Sequence, residues 1–164
     1  MGNKGNLARL AGAGAALAMG STLLVGAPAS AQAAALVPIY QVINGNSSNS
    51  CLQLAGTQAD EKNVVLGNCD RSAKQVWTVI DGVFKNHQYD HCLDGNGADV
   101  YTKPCNGGEF QEWRTTSGSP KSILHDQSGK WLHANGAVGA QVVFQPTKET
   151  ASRWVIDQVG WIDL

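Results

Sequence analysis

Charged residues are scarce in this chain. Asp, Glu, Lys and Arg make up 15% of its 164 residues, and 12 basic side chains nearly balance 13 acidic ones, for a formal net charge of −1. A surface that binds nucleic acid needs a clustered excess of Lys and Arg, because affinity for phosphates is largely electrostatic. The sequence therefore argues against a nucleic-acid partner. Its length is that of one domain.

Motifs of common catalytic and metal sites are also missing. The sequence has no Gly-x-Ser-x-Gly, no His-Glu-x-x-His and no phosphate-binding glycine loop. None of its cysteines forms the Cys-x-x-Cys pair that zinc sites normally use. His87, His91 and His125 lie near aspartates, but an adjacent His and Asp do not define a catalytic triad, and we interpret these histidines as surface or turn residues. We expect no enzymatic activity, no metal and no cofactor.

Residues 1–31 differ in character from the rest of the chain. Their only charged side chains are Lys4 and Arg9, and an apolar stretch rich in Ala and Gly follows. The segment ends in small residues, with Ala29-x-Ala31 as a cleavage site and Ala31-x-Ala33 as the alternative. This order of basic, apolar and small residues is typical of a secretory signal. We therefore predict that residues 1–31 are an export signal and that the protein is secreted and extracellular.

The alternative for the first segment is a membrane anchor. Gly20-Ser-Thr22 interrupts its apolar stretch, and no later stretch is long and apolar enough to span a bilayer. We therefore expect no association with a membrane. The remaining sequence divides into a short leader over residues 32–37, a folded domain over 38–158 and a C-terminal tail over 159–164.

A threefold internal repeat organises the predicted domain. Three segments end in a tryptophan, at spacings of 36 and 41 residues. Upstream of each tryptophan lies a Cys-Leu or Trp-Leu pair, whose leucines are 41 and 39 residues apart. Three landmarks in the same order three times are not explained by chance. The tryptophans are Trp77, Trp113 and Trp154, and the leucines are Leu52, Leu93 and Leu132.

The four cysteines are an even set in a chain predicted to be exported, which indicates two disulfides. Four cysteines allow three pairings. The first repeat contains Cys51 and Cys69, and the second contains Cys92 and Cys105. The repeat therefore selects one bridge within each of these two units, Cys51–Cys69 and Cys92–Cys105.

Each repeat has the pattern of β-strands. Its apolar runs are short and β-branched, as in Val64-Val-Leu66, and clusters of Gly, Asn, Asp and Ser separate them at intervals of about ten residues. No helical periodicity persists after the predicted signal. One unit cannot bury its apolar side alone, so the three units should share one centre. The sequence predicts an all-β domain with pseudo-threefold symmetry.

These motifs resemble the ricin-type β-trefoil family, which includes plant toxin B chains and carbohydrate-binding modules of secreted bacterial hydrolases. The resemblance rests on Cys-Leu, Val-x-Leu-x-x-Cys and Gln-x-Trp, repeated at about 40 residues over roughly 38–158. Two of the three tryptophan motifs keep the glutamine, at Gln75 and Gln111. The resemblance implies a β-trefoil of three pseudo-repeats, without a long helix, in a secreted bacterial member of the family.

The resemblance also implies structural roles for the repeated tryptophans. A tryptophan can stack on a sugar ring, but one equivalent tryptophan per repeat is what a threefold core needs. We expect Trp77, Trp113 and Trp154 to be core residues. Trp131 replaces a half-cystine in the third repeat, and we expect it to be buried as well. Trp161 lies outside the repeat, where it would either cap the barrel or lie on a surface for a partner.

The sugar pocket of this family combines an Asp after Cys-Leu, an aromatic residue two positions before the second cysteine and a Gln in the tryptophan motif. Asp94 and Gln111 occupy the first and last places in the second repeat, whereas Lys103 stands at the aromatic place. Tyr101 should lie on the same side of a strand as Lys103 and could supply the ring. The candidate carbohydrate-binding residues are therefore Asp94, Gln111 and Tyr101, with a simple turn role as the alternative for Asp94.

The other two repeats depart from this pattern. Gln53 replaces the aspartate in the first repeat and Gly67 replaces the aromatic residue, so we expect that pocket to be lost. His133 replaces the aspartate in the third repeat. The aromatic place there is held by Phe144 or by Gln145, depending on how the repeat is aligned.

The sequence thus predicts a monomeric, secreted, lectin-like protein that binds a galactose-type sugar or a polysaccharide, without catalysis. The alternative is a β-trefoil that binds an extracellular protein, for example as an inhibitor of an extracellular hydrolase. Asp94 favours the first function, and the degraded pockets favour the second. An exposed apolar patch around Trp161 would favour a protein partner.

Overall fold

The computed structural model describes residues 35–56 and 64–163, and the predicted export signal lies outside the described residues. The described chain is all-β, with two three-residue 3₁₀ turns at Glu109–Gln111 and Thr150–Ser152. Neither turn has the length or apolarity to cross a membrane. The strands are β1 (Leu36–Asn44), β2 (Ser50–Leu54), β3 (Val64–Asn68), β4 (Trp77–Ile80), β5 (Val83–Asn86), β6 (His91–Gly95), β7 (Val100–Pro104), β8 (Trp113–Thr115), β9 (Lys121–His125), β10 (Lys130–His133), β11 (Val143–Gln145) and β12 (Arg153–Asp163).

Each repeat contributes four strands to a β-trefoil. Its first and last strands belong to a nearly closed barrel, in which β1 pairs with β12 and β4, β4 with β5, β8 with β9, and β9 with β12. The backbone N–H of Trp113 in β8 donates to the carbonyl of Gly82, just before β5, at 3.0 Å. The two middle strands of each repeat form hairpins, β2–β3, β6–β7 and β10–β11. This architecture confirms the predicted fold class.

One tryptophan from each repeat lies at the centre of the core, and these three side chains are between 0% and 2% exposed. Each indole Nε1 donates to the backbone carbonyl of the leucine in its own repeat, so the buried N–H of each of these tryptophans has a partner. The shared core therefore follows the threefold repeat of the sequence. The donor–acceptor pairs are Trp77–Leu52 at 3.1 Å, Trp113–Leu93 at 3.0 Å and Trp154–Leu132 at 3.0 Å.

Two disulfides close the first and second repeats. They join Cys51 to Cys69 and Cys92 to Cys105, with Cα–Cα distances of 5.1 and 5.0 Å. The predicted pairing is confirmed. Each bridge ties the first strand of a hairpin to the segment that follows the second strand.

The expectation that Trp131 is a core residue is wrong. This side chain is half-buried, and Lys148 Nζ lies 5.5 Å from its ring centroid. Its strand neighbour Leu132 is fully buried. Successive side chains of a strand point to opposite faces, so a strand that turns Leu132 inward turns Trp131 toward the surface.

Strand pairing extends into both segments that flank the predicted domain. Leu36 pairs with Asp163 and Pro38 with Trp161, so the ends of β1 and β12 form a two-stranded ribbon. Trp161 is 58% exposed and Leu36 is 61% exposed. Trp161 therefore does not cap the barrel, and the ribbon presents it to solvent.

Candidate functional site

The hairpin of the second repeat brings the candidate residues together. Asp94 in β6 lies directly opposite Tyr101 in β7, and direct partners in an antiparallel pair share one face of the sheet. Lys103 lies on the same face, with its Nζ 5.1 Å from the centroid of the Tyr101 ring. A carboxylate, an aromatic ring and an ammonium group thus lie side by side on this hairpin.

Gln111 holds this arrangement in place. Its Nε2 donates to Asp94 Oδ2 at 2.9 Å and to the carbonyl of Pro104 at 3.1 Å. Its Oε1 accepts the backbone N–H of Asn106 at 3.0 Å. Asp94 is 3% exposed and Gln111 is 1% exposed. Protein partners therefore engage both ends of the Gln111 amide, which fixes the carboxylate relative to the loop after β7.

We call the hydrogen bond from Gln111 to Asp94 the latch, and Gln111 the latch residue. A hydrogen bond between the same two positions recurs in the other repeats, with different residues. Gln75 Nε2 donates to Gln53 Oε1 at 2.8 Å in the first repeat. Ser152 Oγ lies 3.2 Å from His133 Nδ1 in the third repeat. The place of Asp94 is therefore bonded to the place of Gln111 in every repeat. Only the second repeat puts a carboxylate there.

The third repeat is now aligned without ambiguity. Phe144 pairs with the core residue Leu132 across β10 and β11, and Gln145 takes the place that Lys103 has in the second repeat. Phe144 therefore lies on the inner side of its hairpin. Its ring stacks on Trp113, with centroids 5.8 Å apart. The aromatic place of the third repeat is thus held by Gln145, which offers no ring.

His125 is a site neighbour that the sequence did not reveal, and its interpretation as a surface or turn residue is wrong. Its side chain is fully buried between Trp113 and Phe144, at ring-centroid distances of 4.6 and 5.1 Å. Nδ1 lies 2.8 Å from Ser128 Oγ, and Nε2 lies 3.1 Å from the carbonyl of Phe110. The alternation of β9 turns His125 inward together with Ile123.

Burial lowers the pKa of His125, because the imidazolium would lose its hydration. The hydrogen bond to the Phe110 carbonyl and the charges of Asp94 and Asp126 act in the opposite direction and are smaller. The ring is therefore neutral at pH 7. This titratable group lies within electrostatic range of the candidate carboxylate.

Two cavities of the described chain lie away from this hairpin. One, of about 220 Å³, is lined by His87, Asp90 and Ile162, among others. Another, of about 330 Å³, lies beside Asp81 and Glu112. Neither includes a candidate carbohydrate-binding residue. Within the described ranges, no group of three or more His, Cys, Asp or Glu side chains could hold a metal ion.

Removing the Gln111 latch should weaken the fold. We expect Gln111→Ala to lower the free energy of unfolding by about 1–3 kcal/mol, because Asp94 Oδ2 and the Asn106 N–H lose a buried partner. Urea denaturation followed by tryptophan fluorescence measures the change. Glu109→Ala, on the exposed side of the same turn, is the control and should change stability by less than about 0.5 kcal/mol. Equal losses in both variants would contradict the latch.

Comparison with known proteins gives a family and a fold. The model of the ricin-type beta-trefoil lectin domain family matches residues 39–154. The chain is similar to the designed threefold-symmetric protein ThreeFoil, with 21% identity, a TM-score of 0.68, and coverage of 74% of this chain and 99% of that one. It is also similar to the C-half of an earthworm R-type lectin, crystallised with GalNAc, with 14% identity, a TM-score of 0.64, and coverage of 74% and 99%.

The same fold occurs within larger proteins. The chain is similar to part of an exo-beta-1,3-galactanase from Clostridium thermocellum, with 21% identity and a TM-score of 0.67. That likeness covers 74% of this chain and 30% of the galactanase. No curated protein sequence matches the chain. At these identities the solved structures show a shared β-trefoil fold.

Proposed function

Because the chain belongs to the ricin-type β-trefoil lectin domain family, we propose that it binds carbohydrate through its second repeat, without catalysing a reaction. The observation that carries this proposal is the Asp94 carboxylate, held by Gln111 and facing Tyr101. The first and third repeats have the same latch but no carboxylate, so the second repeat is the binding site we propose.

Each member of the site has a chemical task. The carboxylate of Asp94 accepts hydrogen bonds from neighbouring hydroxyls of a sugar, and such charge-assisted bonds are about twice as strong as neutral ones. The ring of Tyr101 packs on the C–H groups of the sugar. Gln111 positions the carboxylate before the sugar arrives, which reduces the conformational entropy lost on binding.

We propose a galactose-type sugar or a polysaccharide as the ligand. The earthworm lectin half of the same fold was crystallised with GalNAc, and a Polyporus squamosus lectin of this fold was crystallised with an epitope that contains galactose. A single site of this size should bind with a dissociation constant in the millimolar range, or about −4 kcal/mol. One molecule with one site should therefore bind a monomeric sugar weakly.

We also propose that the protein is exported and acts as a monomer. The segment 1–31 has the composition of an export signal. Two disulfides in the described chain are typical of proteins that fold in an oxidising compartment. An extracellular lectin would meet polysaccharides and glycoconjugates there.

Asp94→Asn should weaken carbohydrate binding strongly and leave the fold intact. Asparagine keeps the shape and an oxygen for Gln111 but removes the charge, and a neutral amide already stands at this place in the first repeat, at Gln53. We expect affinity to fall at least about tenfold. The measurement is binding of the protein to a panel of immobilised glycans. The full sequence is expressed, and the protein is purified in the form that the expressing cell produces.

The control for this experiment is Asp157→Asn, which removes the charge of an exposed aspartate in β12. This variant should bind as the wild type does. Undiminished binding by Asp94→Asn would move the site elsewhere in the chain. Absence of binding to every glycan at millimolar loading would overturn the proposed function.

One observation favours the second candidate function, binding of an extracellular protein. The exposed Trp161 and Leu36 lie on the same face of the ribbon, because Trp161 pairs with Pro38 and Leu36 lies two residues before Pro38. Exposed apolar strips of this kind are typical of protein-binding surfaces. If the chain inhibits an extracellular hydrolase, Trp161→Ala should remove the inhibition while Asp94→Asn retains it. The opposite pattern would contradict this candidate.

A further inference from the structure

His125 takes the place of an asparagine in the threefold pattern. In every repeat, the last side chain of the first barrel strand donates a hydrogen bond to a backbone carbonyl of the neighbouring repeat. That carbonyl belongs to the residue directly before the latch residue. Two of these donors are neutral amides that do not titrate near neutral pH, and the third is an imidazole, which does. The donor–acceptor pairs are Asn44–Ala151 at 3.4 Å, Asn86–Lys74 at 3.1 Å and His125–Phe110 at 3.1 Å.

The imidazole lies at the boundary between the third repeat and the second repeat, which carries the Asp94 carboxylate. The Phe110 carbonyl that His125 engages directly precedes Gln111, and Gln111 holds Asp94 Oδ2. A short chain of contacts thus leads from His125 to the proposed sugar acceptor. Phe110 and Gln111 share one 3₁₀ turn, so a displacement of the carbonyl moves the latch as well.

The hydrogen-bond partners of the His125 ring determine which nitrogen carries the proton. The Phe110 carbonyl only accepts, so Nε2 carries the proton of the neutral ring, and Nδ1 accepts from the Ser128 hydroxyl. A second proton on Nδ1 reverses the bond to Ser128, whose hydroxyl oxygen then accepts from Nδ1–H. It also places a positive charge between Trp113 and Phe144, out of contact with water. An outward movement of the ring would hydrate that charge and would break the bond to the Phe110 carbonyl.

Two carboxylates act on the ring. The negative charge of Asp94 acts on the ring from β6. Asp126 follows His125 directly in the chain and is ion-paired with Arg114 of β8. The other elements packed against the ring contribute uncharged groups: Trp113, Phe144, Ser128 and the carbonyl of Phe110. An imidazolium therefore also attracts the Asp94 carboxylate and competes with the hydroxyls of a sugar. Displacement of the latch and this competition both weaken binding in acid.

From this geometry we propose that His125 is a positioning residue for Asp94 and makes carbohydrate binding by the second repeat weaken as the pH falls. The inference rests on the proposed function. The loss of affinity should occur at a pH below the usual histidine pKa of about 6.5, because burial lowers the pKa of His125. Linkage is reciprocal, so a bound sugar should favour the neutral ring and shift its titration to lower pH.

The first test is the pH profile of binding. We expect the affinity of the full chain for galactose, measured by calorimetry, to fall about tenfold between about pH 7.5 and about pH 5. His125→Asn, which copies the residue of the other repeats, should lose less than about twofold over the same interval. His87→Asn removes an exposed histidine and should keep the wild-type profile. A wild-type profile in His125→Asn would overturn the inference.

The second test needs no sugar and no variant. In the ligand-free chain, the NMR signals of the Gln111 side-chain amide should shift with the same midpoint as the His125 ring, whereas those of Gln75 should stay constant. A Gln111 signal that does not move while His125 titrates would overturn the inference. If galactose fails to bind at neutral pH, that failure counts against the proposed function, and this test still decides the positioning role.

Discussion

Replacing Trp113 with alanine is expected to lower the free energy of unfolding by about 3–5 kcal/mol. The indole is 2% exposed and donates to the Leu93 carbonyl at 3.0 Å. Its ring also contacts Phe144 and His125, so the truncation leaves a cavity beneath the proposed site. For a domain of this size the loss is a large part of the total stability.

Guanidinium denaturation with linear extrapolation measures this loss. Trp161→Ala is the matched control, because that indole is 58% exposed and its removal should change stability by less than about 1 kcal/mol. A Trp113→Ala variant as stable as the wild type would contradict its place in the core. Equal losses for the two tryptophans would contradict the exposure of the ribbon.

The second large effect is expected from the disulfide of the second repeat. The double variant Cys92→Ala/Cys105→Ala opens a loop of 13 residues. Its free energy of unfolding should fall by about 3 kcal/mol, because the denatured chain regains the entropy of that loop. Carbohydrate binding should weaken as well. Cys105 lies between Pro104 and Asn106, the two backbone partners of Gln111.

The disulfide of the first repeat is the matched control. Cys51→Ala/Cys69→Ala opens a loop of 18 residues, so its effect on stability should be similar. Binding should be unchanged at temperatures where both variants are folded, because the first repeat lacks the carboxylate. Equal losses of binding in the two double variants would contradict a site confined to the second repeat.

Much of the fold could be predicted because the repeat consists of short sequence motifs. Trp77 and its equivalents recur with their Cys-Leu or Trp-Leu partners, and three half-polar units can bury such residues only around a shared axis. The pairing Cys92–Cys105 followed from the same repeat, since each bridge lies within one unit. These features depend on the order and spacing of residues along the chain.

The details of the candidate site were less accessible. The sequence indicated Asp94 and Gln111, and the structure joins them through a hydrogen bond of 2.9 Å. It also brings Tyr101 opposite Asp94, a pairing that depends on the register of β6 and β7. The sequence does not indicate that His125 is buried, because a lone His-Asp pair beside turn residues is typical of the surface.

The order and spacing of the residues were enough to predict the threefold β-trefoil, the two bridges and the repeat that retains a carboxylate. Which side of a short strand faces the core became clear from the folded chain alone. Alternation shows that neighbouring residues point to opposite faces, but it does not show which face is inside. Packing of the three repeats around one axis makes that choice. It buries His125, packs the half-buried Phe144 against Trp113, and turns Trp131 and Trp161 toward the surface.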